Sequence, residues 1–249
     1  MMTLLVGWLL NQKVDWRYIV GGVALFATLP ALMFLLPDKR VVFKKEKVDV
    51  ATVWHHTLDI LKSGRFWLFF ILMFLGGGAE FGLTFWASSF VRMTFNSTPM
   101  QGAMATLIFS IGMIIGRLGA AAVIPQKYLF HMLLSTAATG IAAGILLPFA
   151  PTIWAAYGLF LVLGLSCSAL WPSSQSYCTD RMPFLDSTVV YIILSCAGTP
   201  GCGIMTWLLG KVGDNVSLKW SILLVPLCLF LFVAVLLFER LKWRNQKER

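Results

Sequence analysis

FWLFFILMFLGGGAEFGLTFWASSF, residues 66–90, decides what kind of protein this is. A helix needs about 20 apolar residues to cross the hydrocarbon of a bilayer, and this run exceeds that length. Near its middle Glu80 follows three glycines, Gly76, Gly77 and Gly78, while every other Asp or Glu sits in a loop, a tail or the end of an apolar run. A lone acid at membrane depth costs ~2.5 kcal/mol or more unless it faces a cavity or a partner. Glu80 is therefore either protonated and hydrogen-bonded to a neighbouring helix, or part of a polar site on a solute path.

Composition sets the class. Only 12% of residues are charged and 58% are hydrophobic, with a mean hydropathy of +0.80; a soluble domain would carry about a quarter charged residues. The chain is expected to be an all-α polytopic membrane protein. Its net charge of +9 does not indicate nucleic-acid binding, because the Lys and Arg flank apolar spans, where headgroups and topology account for them. The cysteines, Cys167, Cys178, Cys196, Cys202 and Cys228, form no CxxC pair and argue for neither a zinc site nor a disulfide framework.

Taken in order, residues 1–10 read as the end of a helix and 11–17 as a polar loop. Further apolar spans read at 18–36, 66–90, 101–124, 128–149, 152–172 (running on to about Cys178), 186–210 and 219–238, about seven in all. Residues 37–65 form the only long polar segment, and its second half places Val50, Val53, Trp54, Leu58 and Leu61 on one helical face, the pattern of an interfacial amphipathic helix. Residues 239–249 read as a basic tail. If the long loop is cytoplasmic, fourteen Lys and Arg share its side and five lie opposite, which places the loop and the C-terminus inside. Gly112 with Gly116, and Gly140 with Gly144, have the spacing of close helix packing in lipid. Pro200, within Gly198-Thr199-Pro200-Gly201, is expected to bend or break its helix, and irregular backbone at that depth is tolerated only against protein or a wet cavity.

Six short-looped spans after a basic loop resemble the C-terminal half of a major facilitator superfamily transporter, with residues 18–36 as the last helix of the N-terminal half. Ile111-Gly112-Met113-Ile114-Ile115-Gly116-Arg117-Leu118-Gly119 is similar to the Gly-Arg ending of the family's eighth helix, where the Arg ties neighbouring helices together at the cytoplasmic end. Gly164 to Ser173 (GLSCSALWPS) resembles the tenth helix of fucose-permease-like and related sugar transporters. Ala197-Gly198-Thr199-Pro200-Gly201 with Trp207-Leu208-Leu209-Gly210 resembles the eleventh. The resemblance implies a partial transporter fold: residues 1–36 as a remnant of the N-terminal half, 37–65 as the cytoplasmic central loop, 66–238 as a six-helix bundle and 239–249 as the tail. Members have about twelve helices with the site between two halves. The missing N-terminal half is then expected from a longer gene or a second polypeptide.

The same resemblance puts Glu80 on a cavity-lining helix. Thr84 lies one turn on, and Trp86, with Phe81 and Phe85, offers the aromatic surface that sugar C–H faces favour. Trp171 and Gln175 share a face of the tenth helix, and a span Gln needs partners for both ends of its amide. Ser195 and Thr199 are weaker candidates that are able to bond back to their own helix. Candidate substrate contacts are thus Glu80, Thr84, Trp86, Trp171 and Gln175; structural or gating candidates are Arg117, Gly198, Pro200 and Gly201. An apolar environment disfavours a charged carboxylate, so proton carriage is a second role for Glu80. His55, His56 and Asp59 lack a third close ligand, and neither a metal nor a cofactor is expected.

The expected function is movement of a small polar solute, a sugar or sugar acid, by alternating access in the inner cell membrane, with the lipid bilayer and a coupled proton as further partners. An intramembrane enzyme would need paired acids, a Ser/His set or a metal cluster at depth, so no enzymatic activity is expected. A seven-helix receptor fits the topology, but the acidic-Arg-aromatic triplet and Asn-Pro-x-x-Tyr of the commonest receptor class are not in the sequence. A half-transporter needing a partner, or a non-transporting remnant, stays open.

Overall fold

The computed structural model describes residues 2–12, 14–33 and 50–243. Two helices, α1 (Met2–Asn11) and α2 (Trp16–Met33), precede α3 (Val50–Lys62). The bundle follows as α4 (Gly64–Phe95), α5 (Pro99–Val123), α6 (Leu129–Leu146), α7 (Ile153–Ser168), α8 (Leu170–Arg181), α9 (Ser187–Asn215), α10 (Leu218–Ser221) and α11 (Leu224–Lys242). Among the described residues six segments are long and apolar enough to span a bilayer: Gly64–Phe95, Pro99–Ala122, Gln126–Phe149, Ile153–Arg181, Ser187–Asn215 and Leu218–Lys242. The span expected at 18–36 is helical from Trp16 to Met33; its end, the first part of the central loop (to residue 49) and the tail from residue 244 lie outside the described residues.

Local chemistry sets the helix ends. Ser63 caps α4 by accepting from the Phe66 amide at 3.4 Å, satisfying one of the orphan donors of the first turn. Thr98 and Gln101 form a reciprocal capping box, with Pro99 in the first turn of α5. Thr152 accepts from Ala155 at 3.2 Å to start α7, and Asp186 accepts from Val189 at 3.0 Å to start α9. At the far end of α4, Asn96 takes the left-handed conformation at φ 47°, which Asn tolerates better than most residues. This cap ends α4 at Phe95, beyond the expected end at Phe90.

α4 carries apolar residues around most of its circumference, as a helix that meets protein on one side and lipid on the other must; Trp67, Ile71, Phe85 and Met93 are exposed. It packs against α5, α7, α8, α9 and α11, and its Phe66, Phe69, Leu72, Met73, Leu83 and Phe90 are fully buried. Phe90 meets Phe160 of α7 edge-on, ring centres 6.0 Å apart. The contacts fall into a reciprocal pattern. α4 packs on α9 and α11; α7 packs on α5 and α6; α6 and α11 also touch. Two three-helix units therefore interlock, the first helix of each lying against the second and third of the other.

Small residues permit the two closest crossings. A Cβ on Gly201 would land on the Phe74 carbonyl, and one on Gly78 would come within 3.2 Å of the Gly201 carbonyl, so α4 and α9 meet backbone to backbone. At the α5–α7 crossing a Cβ on Gly112 would lie 2.5 Å from the Leu161 carbonyl and 3.1 Å from Gly164 Cα. In lipid, where burial of apolar surface gives little preference for helix over lipid, such close approach is a main source of helix association.

The structure refines two expectations about helix breaks. α9 runs without interruption through Pro200; it is bent at most, since its glycine-lined crossing with α4 holds it on both sides of the proline. The tenth span, expected from Thr152 to about Cys178, is a single span, Ile153–Arg181, interrupted only at Ala169, which separates α7 from α8. Pro172 causes this break: it has no amide to donate to the carbonyl four residues back, Ser168.

Candidate functional site

That freed carbonyl is the first component of the site. Arg117, in the second half of α5, donates Nε to the Ser168 carbonyl at 3.3 Å. Its Nη2 donates to Oε1 of Glu80 at 2.9 Å. Three elements thus converge at the middle of the bundle: the acid from α4, the guanidinium from α5 and the backbone break from α7–α8. The Glu80 side chain is 12% exposed and that of Arg117 49%, so the pair is closed on the carboxylate side and open on the guanidinium side. Glu80 is not the isolated acid its local sequence suggests. Its counter-ion lies 37 residues away, and only the packing of α4 on α5 brings them together.

The open side faces a groove of about 390 Å³ lined by Glu80, Phe81, Arg117, Trp171 and Pro172. Toward the α5–α6 turn it shares Arg117 and Pro172 with a groove of about 480 Å³, where Ser173, Ser176 and Gln126 add polar groups. Across Phe81 and Trp171 it shares lining with an apolar groove of about 600 Å³ that carries Phe85, Thr199, Cys202, Thr206 and Trp207. The result is a mid-depth surface with an ion pair at its centre, aromatic rings on one flank and hydroxyls on the other.

The other sequence candidates divide. Trp171 lines the central groove, and its ring lies where a Gly198 side chain would be, 3.1 Å from a Cβ built on Gly77; Gly198 thus seats the indole, and Gly201 serves the α4–α9 crossing. Thr84 bonds back to the Glu80 carbonyl at 2.8 Å. Trp86 faces α9, its indole donating to the Thr206 carbonyl at 3.0 Å. Gln175 donates to Ser195 Oγ at 2.9 Å, and Ser195 donates in turn to the Tyr191 carbonyl at 2.8 Å. Each of these three candidates has a partner within the protein, Gln175 through its Nε2 end, and none of them lines the Glu80 groove. Pro200 is exposed on α9. His56 Nδ1 lies 3.6 Å from Asp186 Oδ2, which attaches α3 to the start of α9, and Asp59 pairs with Lys62 at 3.7 Å.

One constellation escaped sequence reading. Glu239, assigned to the tail, is fully buried near the end of α11. Arg65 at the start of α4 donates Nε to Glu239 Oε1 at 2.8 Å, and Arg181 at the end of α8 donates Nε to the same oxygen at 3.3 Å. Tyr177 donates its hydroxyl to Oε2 at 3.2 Å. Arg65 Nη1 also reaches the Arg181 carbonyl at 2.8 Å. These residues join the ends of three helices that are far apart in sequence. The only local signal is the recurrence of an Arg or Glu at three span ends, which snorkelling explains equally well.

Two interlocked three-helix units around a polar centre are the arrangement of transporter folds in which inverted three-helix repeats are nested within each half. The sequence model of the Major Facilitator Superfamily matches residues 1–185; the chain belongs to that family of membrane transporters and is a multi-pass membrane protein. A search among curated proteins gave no match.

Proposed function

We propose that this chain takes part in carrying a small polar solute, a sugar or sugar acid, across the membrane by alternating access, with the Glu80–Arg117 groove as the C-terminal wall of the solute site. The observation that carries the reading is the ion pair at mid-depth, half open to a groove flanked by Trp171 and Phe81. An intramembrane charge pair facing a cavity is characteristic of solute and proton pathways, and an aromatic face beside hydrogen-bonding groups suits a sugar. A second helix bundle closes the groove over α4, α8 and α9. Glu80 and Trp171 contact the solute, Arg117 holds Glu80 in place, and a proton taken up by Glu80 releases Arg117, which couples the cycle to symport. The Lys and Arg bias puts the ends that carry Arg65, Arg181 and Arg240 in the cytoplasm, with the C-terminus inside and the chain in the inner cell membrane.

The test is uptake of labelled sugars and sugar acids into proteoliposomes holding the complete transporter, with and without a proton gradient. Glu80→Gln is expected to abolish proton-driven accumulation and to weaken solute binding. Unimpaired binding and coupling in that variant would sink both roles given to Glu80.

A further inference from the structure

The basic end of the bundle carries a second polar groove, separate from Glu80. The first turn of α6 and the last turns of α8 and α11 enclose about 260 Å³, floored by Phe130 and Tyr177 and rimmed by Lys127, His131, Arg181 and Arg240. Among the described residues its charges do not balance. Glu239, behind the wall, is shared by two guanidiniums, Arg65 and Arg181, whose side chains are 10% and 12% exposed. The rim acid, Asp180, accepts from Gln126 at 3.2 Å. Arg240 rests on the Phe130 ring, 3.8 Å from its centre, and Lys127 lies 4.9 Å from the Tyr128 ring; neither has a carboxylate partner among the described residues. Four permanent cations, Arg65, Arg181, Arg240 and Lys127, thus stand around two carboxylates. Half-desolvated guanidiniums without a counter-ion favour an anion at close range.

The position of the groove indicates where the anion comes from. It sits where three spans end, at headgroup height, and its outer edge continues into lipid-facing surface. Leu237, one turn before Arg240, and Phe238 and Leu241 beside it are 39%, 52% and 70% exposed, and Tyr128 flanks the mouth as an interfacial aromatic. An acyl chain running down α11 from this mouth would keep its phosphate against Lys127 and Arg240. Basic pockets between helix ends on the cytoplasmic side are the sites that anionic lipid headgroups take. We propose that the α6–α8–α11 groove binds the phosphate headgroup of an anionic phospholipid, held by Lys127 and Arg240.

The full chain, purified in neutral detergent and titrated in mixed micelles, tests this, with the thermal midpoint and the lipid retained per protein as readouts. Phosphatidylglycerol is expected to raise the midpoint saturably, while phosphatidylcholine and free inorganic phosphate at matched concentration leave it unchanged. One headgroup charge contact is worth enough to predict about a fivefold loss of apparent affinity for each of Lys127→Gln and Arg240→Gln. Arg92→Gln, at the opposite end of the bundle, is expected to change nothing. Lys127 is exposed, so its variant tests the site even where Arg240→Gln perturbs folding. Equal stabilisation by phosphatidylcholine, unchanged phosphatidylglycerol affinity in Lys127→Gln, or a full shift from inorganic phosphate alone would each overturn the proposal, the last by making the groove a free-anion site.

Discussion

Replacing Glu239 by Gln isolates the contribution of the buried charge cluster. The carboxylate is fully buried and accepts from Arg65, Arg181 and Tyr177, so the variant leaves two guanidiniums, each about nine-tenths covered, without a counter-charge. Breaking a buried pair by removing one partner costs about 3–5 kcal/mol, because the remaining charge stays desolvated. For a chain of this size each kcal/mol moves a melting midpoint by roughly 2–4 °C, so a fall of order 10 °C is expected in detergent. Asp59→Asn serves as the internal comparison. Its pair with Lys62 spans 3.7 Å between side chains that are 65% and 74% exposed, and such pairs contribute ~0.2–1 kcal/mol, within the scatter of the melt. Adding Arg65→Gln to Glu239→Gln is expected to recover part of the loss, since it removes one orphaned charge. The measurement is a double-mutant cycle read by thermal melting of the purified chain. A Glu239→Gln midpoint within a degree or two of the parent, or strict additivity in the cycle, would refute the argument that the three helix ends are held by charge.

Three further outcomes are expected. Gly201→Ala should lower the melting midpoint by the ~1–3 kcal/mol of an overpacked contact, because its Cβ falls on the Phe74 carbonyl, whereas Gly203→Ala, with nothing within 4 Å, should be neutral or stabilising by up to ~1 kcal/mol; equal melts would disprove the backbone crossing of α4 and α9. Pro172→Ala restores an amide donor to the Ser168 carbonyl and competes with Arg117. Loss of one hydrogen bond from a charged group is worth roughly a tenfold fall in solute affinity, measured by binding to the complete transporter, and unchanged affinity would remove the break from the site. The Val189 amide, followed by the Thr188 amide and nearby His56, holds the Asp186 carboxyl below its ordinary value. Its capping contribution is therefore present above the ordinary carboxylate range and is lost as pH falls through the lowered folded value. Asp186→Asn should retain the cap and flatten that acid limb of a stability–pH profile.

Much of the bundle was legible because its causes are local. The span lengths follow from runs of apolar residues, and the helix starts from Ser63, Thr98, Thr152 and Asp186, each one cap residue acting three positions ahead. Pro172 was equally visible, yet the reading placed the irregularity at Pro200. The two prolines present the same missing amide. They differ in what lies alongside: at Pro172 Arg117 satisfies the freed carbonyl and the break persists, while α9 at Pro200 is clasped against α4 through Gly198 and Gly201. Among the candidate site residues, Thr84, Trp86 and Gln175 have the right chemistry for a solute, but the fold gives each an internal partner.

The sequence by itself determined that this is a helical membrane protein, with one acid at membrane depth and its cations gathered at one end, because bilayer thickness, capping and topology act on contiguous stretches of chain; the family followed from motif resemblance. The tertiary structure alone decided which charges meet. Glu80 finds Arg117 and Glu239 finds Arg65 and Arg181 across separations of 37, 174 and 58 residues. Those meetings depend on the depth and rotation at which whole helices cross, and these are set by packing at Gly78, Gly112, Gly164 and Gly201 rather than by any pattern near the charged residues themselves.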